Sequence, residues 1–135
     1  MKVGDFAWNR RTYRRGSYWE RREIIAESTR SWKVRAHWSE RMKDHIINLP
    51  KNTDKWDEDW AVDEADARRK ELAIQQKIWR GEVLNRHFDF GSFCHQAKRD
   101  EDLFEKVLKI AEVMGWPLPN KPEMSDISLT TQVPS

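Results

Sequence analysis

One cysteine, five glycines and five prolines are all that 135 residues supply of the residue types that staple, bend or break a chain. The lone thiol, Cys94, excludes an internal disulfide and any zinc site built on two or more thiolates, and it fits a cytoplasmic compartment. Long apolar runs are missing as well. No uncharged stretch approaches the roughly 18–20 residues that cross a bilayer, and no charged segment followed by an apolar one opens the chain, so neither a membrane nor a secreted protein is expected. Hydrophobic residues are 38% of the chain and charged residues 36%. Average domains hold about 45–50% and about 25%, so the apolar content is thin for self-sufficient burial and oligomerisation is a live option. Aromatic residues compensate. There are eight Trp, five Phe and two Tyr, each able to bury roughly 150–250 Å², which rules out disorder throughout. The length fits one domain.

The net charge of +2 conceals an asymmetry. Residues 1–43 hold twelve Lys and Arg against five Asp and Glu, a balance of +7, and the remainder is therefore −5. Arg10, Arg11, Arg14, Arg15, Arg21 and Arg22 crowd one short stretch, and guanidinium is the group suited to bidentate phosphate contacts. A phosphate-bearing partner is one explanation. Outward residues that keep short strands soluble are the other.

The pattern predicts an α+β fold: one domain over 1–116, with a sheet part over 1–48 and a helical part over 61–116, then a flexible tail over 117–135. Val3–Arg14 and the residues after Gly16-Ser17 form a hairpin. Arg22–Ala26 and Ser31–Trp38 add strands, with Trp32, Val34, Ala36 and Trp38 alternating with Lys33, Arg35 and His37. Three or four antiparallel strands result. Ile46–Asp59, with Pro50, Asn52-Thr53-Asp54 and an acidic run, has turn and linker chemistry. Ala61 to about His87 predicts a long helix, with Ala67, Ile74 and Ile78 on one line and Leu72, Trp79 and Val83 beside it. Ser92 caps a short helix over Phe93–Lys98. A last helix starts at the cap Asp100, presents Leu103, Phe104, Val107, Leu108, Ala111 and Met114 on one face, and ends at Gly115 and Pro117. Residues 117–135 hold four prolines and many Ser and Thr without periodicity, hence the tail.

Catalytic constellations are scarce. There is no glycine-rich phosphate loop, no nucleophile elbow and no His pair at metal spacing. His37 and His45 are eight apart, and His87 and His95 are separated by a breaker, so no metal is expected. Cys94 and His95 are helix neighbours that point about 100° apart, which favours a buried Cys over a nucleophile. Asp57, Glu58 and Asp59 sit in a polar run with nothing to separate their pKa values, which favours a solvated linker over an acid–base pair. No cofactor and no catalysis are expected.

Binding constellations are richer. Trp8-Asn9-Arg10-Arg11-Thr12-Tyr13-Arg14 interleaves π-faces, guanidiniums and an amide, the group types a nucleotide needs for its base, its phosphates and its base edge. Trp79-Arg80 with Asn85-Arg86-His87-Phe88 is a second cluster. Core packing of Trp8 and Trp79 and a surface role for Arg86 are the plain alternatives. A small nucleic-acid-binding module is the competing class, with phosphates on Arg14, Arg15, Arg21 and Arg22 and bases on Tyr18 or Trp19, though the acidic C-terminal part opposes wrapping a polyanion. A protein that inhibits a host enzyme through exposed tryptophans is a third.

Val3-Gly4-Asp5, Trp8, Asn9-Arg10-Arg11-Thr12-Tyr13-Arg14, Trp19-Glu20, Arg22-Glu23-Ile24-Ile25 and Glu27-Ser28-Thr29-Arg30-Ser31-Trp32 resemble the first half of a family of small phage proteins. Asn85-Arg86-His87 and a helix ending Ile110-Ala111-Glu112-Val113-Met114-Gly115-Trp116 resemble its second half, while Gly91-Ser92-Phe93-Cys94 departs from it. The family is the first-described class of anti-Thoeris signal sponges, which sequester the cyclic ADP-ribose-type messenger made by bacterial TIR enzymes. The resemblance implies a sheet followed by helices, a homo-oligomer from dimer to hexamer with pockets at protomer interfaces, and the cytoplasm of an infected bacterium as the place of action. Some members also hold cyclic oligonucleotides at a separate site. By the resemblance, Trp8, Arg10, Arg11, Tyr13, Arg30, Asn85 and Arg86 contact the ligand; stacking chemistry adds Trp79 and Phe88.

Overall fold

The computed structural model describes residues 1–13, 16–35, 45–88 and 91–129, with Tyr13 described in its backbone alone. Where the sequence suggests one domain, the chain divides into two compact units: Met1–Glu71 with the closing segment from Asp126, and Leu72–Ser125. The first holds an antiparallel sheet and the second holds helices, the α+β order expected.

Strand β1 (Phe6–Tyr13) pairs over its whole length with β2 (Gly16–Glu27), Phe6 facing Glu23 and Tyr13 facing Gly16. Gly16 and Ser17, expected to punctuate the hairpin, are the first residues of β2, and Arg14 and Arg15 lie outside the described residues. β3 (Ser31–Arg35) joins β2 beyond a bulge between Ile24 and Ala26. β4 (Ile46–Pro50) pairs with β3, and β5 (Trp60–Ala61) pairs with Trp8 and Asn9 of β1. The order is β4-β3-β2-β1-β5, five strands where three or four are expected.

Two expectations are corrected here. Gly16–Glu27 is one strand of 12 residues and not a hairpin arm followed by a separate strand. It stays continuous because its first part is held by β1 and its end by β3. Ile46–Asp59 is not all linker either, since its first five residues are β4. Pro50 hides this in the sequence, yet it is tolerated because β4 is an edge strand and Pro50 ends it.

Residues directly opposed across a sheet share a face. Ile24 opposes Val34, Val34 opposes Ile47, and Trp32 opposes Leu49, so one face is apolar. Ala7, Trp56 and Trp60 complete this first core. Trp56 meets it from the loop, where its indole N–H donates to the Pro50 carbonyl at 2.6 Å. Trp32 and Val34 are buried and Lys33 and Arg35 exposed, as the alternation requires; Ala36, His37 and Trp38 lie outside the described residues.

Helix α1 (Glu64–His87) begins in the first unit, and from Leu72 it belongs to the second. α2 (Ser92–Ala97) and α3 (Glu101–Met114) follow. Trp79, Val83, Leu84, Phe88, Cys94, Ala97, Phe104 and Val107 form the second core. Ala67 and Ile74 are buried as expected, but Ile78 is 54% exposed. After Leu72 the buried stripe follows Trp79 and Val83, which pack with residues of α2 and α3. Asp100 caps α3 by accepting from the Leu103 N–H at 3.2 Å, and Gly115 closes it at φ 70°, both as expected. The cap of α2 is Gly91 at φ 53°, not Ser92, which is the first helical residue and makes no capping bond.

Residues 117–129, expected within the tail, carry specific contacts. The Pro119 carbonyl accepts from the Trp79 indole at 2.7 Å, the Pro122 carbonyl from the Gln76 amide at 3.1 Å, and the Leu129 carbonyl from the Trp19 N–H at 2.9 Å. Ile127 and Leu129 are buried. Residues 130–135 lie outside the described residues.

α1 starts with reciprocal carboxylate bonds: Asp63 accepts from the Asp66 N–H at 2.7 Å, and Asp66 accepts from the Val62 N–H at 3.1 Å. Burial pushes the Asp66 carboxyl up, but the Val62 N–H together with Arg69 and Lys70 outweighs it, so its pKa lies below the ordinary value. A depressed folded pKa stabilises the fold above the unfolded value near 3.9, and that stabilisation is lost as pH falls through the folded value. Denaturant melts from about pH 5 to about pH 2 should therefore show a steeper acid decline for the parent than for Asp66→Asn. Equal slopes would remove Asp66 from the acid limb.

Candidate functional site

The nine candidate ligand residues fall in both units. Trp8, Arg10, Arg11, Tyr13 and Arg30 belong to the first, and Trp79, Asn85, Arg86 and Phe88 to the second.

In the first unit, β1 places Arg10 across from Trp19 of β2. Its guanidinium does not await a phosphate. Nε donates to Glu71 at 2.6 Å, and the terminal nitrogen donates to Ser17 at 2.9 Å and to the other Glu71 oxygen at 3.5 Å. The Trp19 indole N–H adds a bond to Glu71 at 3.1 Å. The side chains of Arg10 and Glu71 are 10% and 4% exposed, so this is an internal ion pair. Arg11 keeps 28% of its side chain exposed, 4.0 Å from Glu20. Trp8 is half-buried opposite Arg21, and Arg30 is exposed ahead of β3. Tyr13 ends β1, and its side chain lies outside what is described. Of the arginines assigned to nucleic acid in the competing class, Arg22 is buried against Glu20 at 2.5 Å, and Arg21 covers the Phe6 ring at 5.0 Å.

A shallow hollow of about 400 Å³ is lined by Asn9, Arg10, Arg11, Thr12, Asp59 and Trp60. The Asp59 carbonyl accepts from the Asn9 amide at 3.1 Å and from the Arg10 N–H at 2.8 Å. Burial raises the Asp59 carboxyl above its ordinary value, Glu58 and Asp57 add to that, and Arg10 opposes it. Asp57, Glu58 and Asp59 are exposed, as expected, but the raised Asp59 carboxyl departs from the expectation that nothing in this run shifts a pKa.

In the second unit, Trp79 and Phe88 are buried residues of the core. Trp79 sits T-shaped on Phe104 with ring centres 5.5 Å apart, and Phe88 packs on Phe93 and Trp116. Asn85 and Arg86 are exposed near the end of α1, and the buried Cys94 thiol donates to the side-chain Oδ1 of Asn85 at 3.9 Å. His87 stacks on Trp116 at 4.7 Å. No group of three or more metal-ligating side chains occurs among the described residues, and no helix there is long and apolar enough to cross a membrane.

The second unit holds a groove of about 440 Å³ between α1, α3 and the segment after α3. Ligand sites commonly measure about 300–1,000 Å³. Phe104 and Trp79 form its apolar floor. Lys77, Arg80, Lys98 and Lys121 contribute four positive charges and Glu101 and Glu105 two negative ones, leaving an excess of two positive charges. Arg80 lies over the Phe104 ring at 4.4 Å and donates to the Lys98 carbonyl at 3.2 Å and to Glu101. Lys121 lies over the Trp79 ring at 5.7 Å.

The sequence signals only part of this groove. Trp79-Arg80 stands out as an aromatic and basic pair. Lys77 and Lys98 look like ordinary helix surface, and Lys121 falls in the expected tail; the two proline carbonyls that hold this segment on α1 leave no periodic mark in a sequence. Asn85 and Arg86 do not line the groove. No family model, no curated protein and no solved structure matches this chain.

Proposed function

We propose that this protein captures a small anionic nucleotide messenger of the cyclic ADP-ribose type and withholds it without turnover, acting against TIR-based immunity in an infected bacterium. The observation that carries the reading is the groove of the second unit, whose excess of two positive charges over an aromatic floor complements the two negative charges of a pyrophosphate. The sequence resemblance to the anti-Thoeris sponges supplies the messenger class. Nucleophile, base and orienter are not assembled in the groove, so the ligand is returned as it was taken.

Suppressing a messenger in a cell requires slow release, and a dissociation constant near 1 nM corresponds to about −12 kcal/mol. The test incubates the protein with cyclic ADP-ribose isomers, removes excess, denatures by heat and analyses the released ligand. Intact ligand is expected. A cleaved product would overturn sequestration. Calorimetry on Arg80→Ala should show a loss of about 1.5–3 kcal/mol, the worth of a charged hydrogen bond. If Arg86→Ala loses binding while Arg80→Ala keeps it, the messenger sits at the end of α1 and the groove is not its site. Light scattering on the same samples reads whether the dimer or hexamer implied by the resemblance forms.

A further inference from the structure

We propose that Glu101 is a resident anion of this groove, a carboxylate that holds the place of a ligand phosphate on Arg80 and is displaced when a diphosphate enters. The inference rests on the groove being an anion site and goes further, because it assigns the occupant of the free state and a residue that sets affinity.

Three contacts position the Arg80 guanidinium, and they differ in kind. The Phe104 ring beneath it at 4.4 Å belongs to the core, since Phe104 is buried. The Lys98 carbonyl at 3.2 Å is backbone. The third contact, the Glu101 carboxylate, is a side chain 74% exposed, against 20% for Arg80. Two anchors are thus fixed by the fold, while the third can swing into solvent with little repacking. A carboxylate and a phosphate present the same paired oxygens to a guanidinium fork. Removing Glu101 from Arg80 therefore uncovers a donor set that is already aimed.

The remaining charges point the same way. Among the described residues Lys77 and Lys98 form no ion pair, and Lys121 is held over the Trp79 ring. Glu105 lines the groove but bonds no cation of it among the described residues. Glu101 is the carboxylate that occupies the fork. An entering diphosphate carries two charges where Glu101 carries one, and it can reach the lysines that Glu101 leaves unmatched. Exchange is favourable because an exposed ion pair of this kind amounts to no more than about fivefold in an equilibrium constant.

The test uses the full chain, with inorganic pyrophosphate as the probe and calorimetry as the readout. The parent protein should bind pyrophosphate, and Glu101→Gln should bind it about fivefold more tightly. Glu105→Gln makes the same change of net charge on the same groove without touching Arg80, and its gain should stay below about twofold. In an Arg80→Ala background the gain from Glu101→Gln should vanish, which a role of Glu101 confined to the first turn of α3 would not produce. Equal gains from Glu101→Gln and Glu105→Gln, or a gain that persists without Arg80, would overturn the displacement and leave net charge as the cause. Parent binding with no gain in Glu101→Gln would end the inference while the anion groove stands. No binding by the parent or by Glu101→Gln would overturn both. Thermal melts of each variant confirm that binding is read on folded protein.

Discussion

Glu71→Ala is expected to lower the stability of the protein by about 3–5 kcal/mol, the cost of leaving one member of a buried ion pair unmatched. The Glu71 side chain is 4% exposed and accepts from Arg10, Ser17 and the Trp19 indole. Truncation would strand a guanidinium 10% exposed and an indole N–H on a Trp that is itself buried. Replacing both charges with apolar groups of similar volume, Arg10→Met with Glu71→Leu, should cost less than Glu71→Ala alone, because no buried charge is then left without its counter-charge. Denaturant unfolding followed by tryptophan fluorescence checks both. A loss below about 1 kcal/mol in Glu71→Ala would mean that the pair is hydrated in solution. The double variant also bears on function: if it still binds ligand, the internal role given to Arg10 holds.

Phe104→Ala should cost a similar amount, about 3–5 kcal/mol, by the loss of buried area and the cavity left behind. Phe104 is 3% exposed in the second core, where its ring meets Trp79 and lies beneath Arg80. Phe104→Leu keeps most of the volume and should cost about 1 kcal/mol, which leaves a folded protein. It also withdraws the ring from under the guanidinium, an interaction of about 0.5–1 kcal/mol at an exposed site. Phe104→Leu should therefore fold while binding pyrophosphate measurably more weakly. Circular dichroism melts with parallel calorimetry separate the two effects, and unchanged binding would remove the ring from the positioning of Arg80.

How legible these features are in the sequence follows from how local their causes are. α3 is written in full by Asp100, the period of Phe104, Val107 and Ala111, and Gly115, because each acts within a turn or two of its own position. β4 escapes because a strand of five residues ending in proline shows its purpose only beside Trp32 and Val34. The groove escapes for the same reason. Lys98 and Lys121 meet Arg80 and Trp79 through tertiary packing, and a lysine on a helix surface looks the same whether or not it faces a cavity. Residue chemistry alone carries no mark of exposure, and Arg10, Trp79 and Phe88 are interior. Glu71 is buried without any mark in the sequence, since a glutamate in a helix rich in Glu, Lys and Arg gives no sign of burial.

The two sides of the sheet end in different ways, and that bears on how the protein behaves when concentrated. β4 closes one side with Pro50, which has no N–H to offer a neighbouring chain. β5 closes the other with only two residues, covering β1 at Trp8 and Asn9. Past the bond from the Arg10 N–H to Asp59, the outward backbone of β1 runs on beside Arg11 and the exposed Thr12. A second molecule that tried to add a strand there would have to bring its own arginines against these. Like charges at this run therefore guard against templated aggregation, and the cluster that suggests phosphate binding also helps to keep copies of the chain from fusing edge to edge.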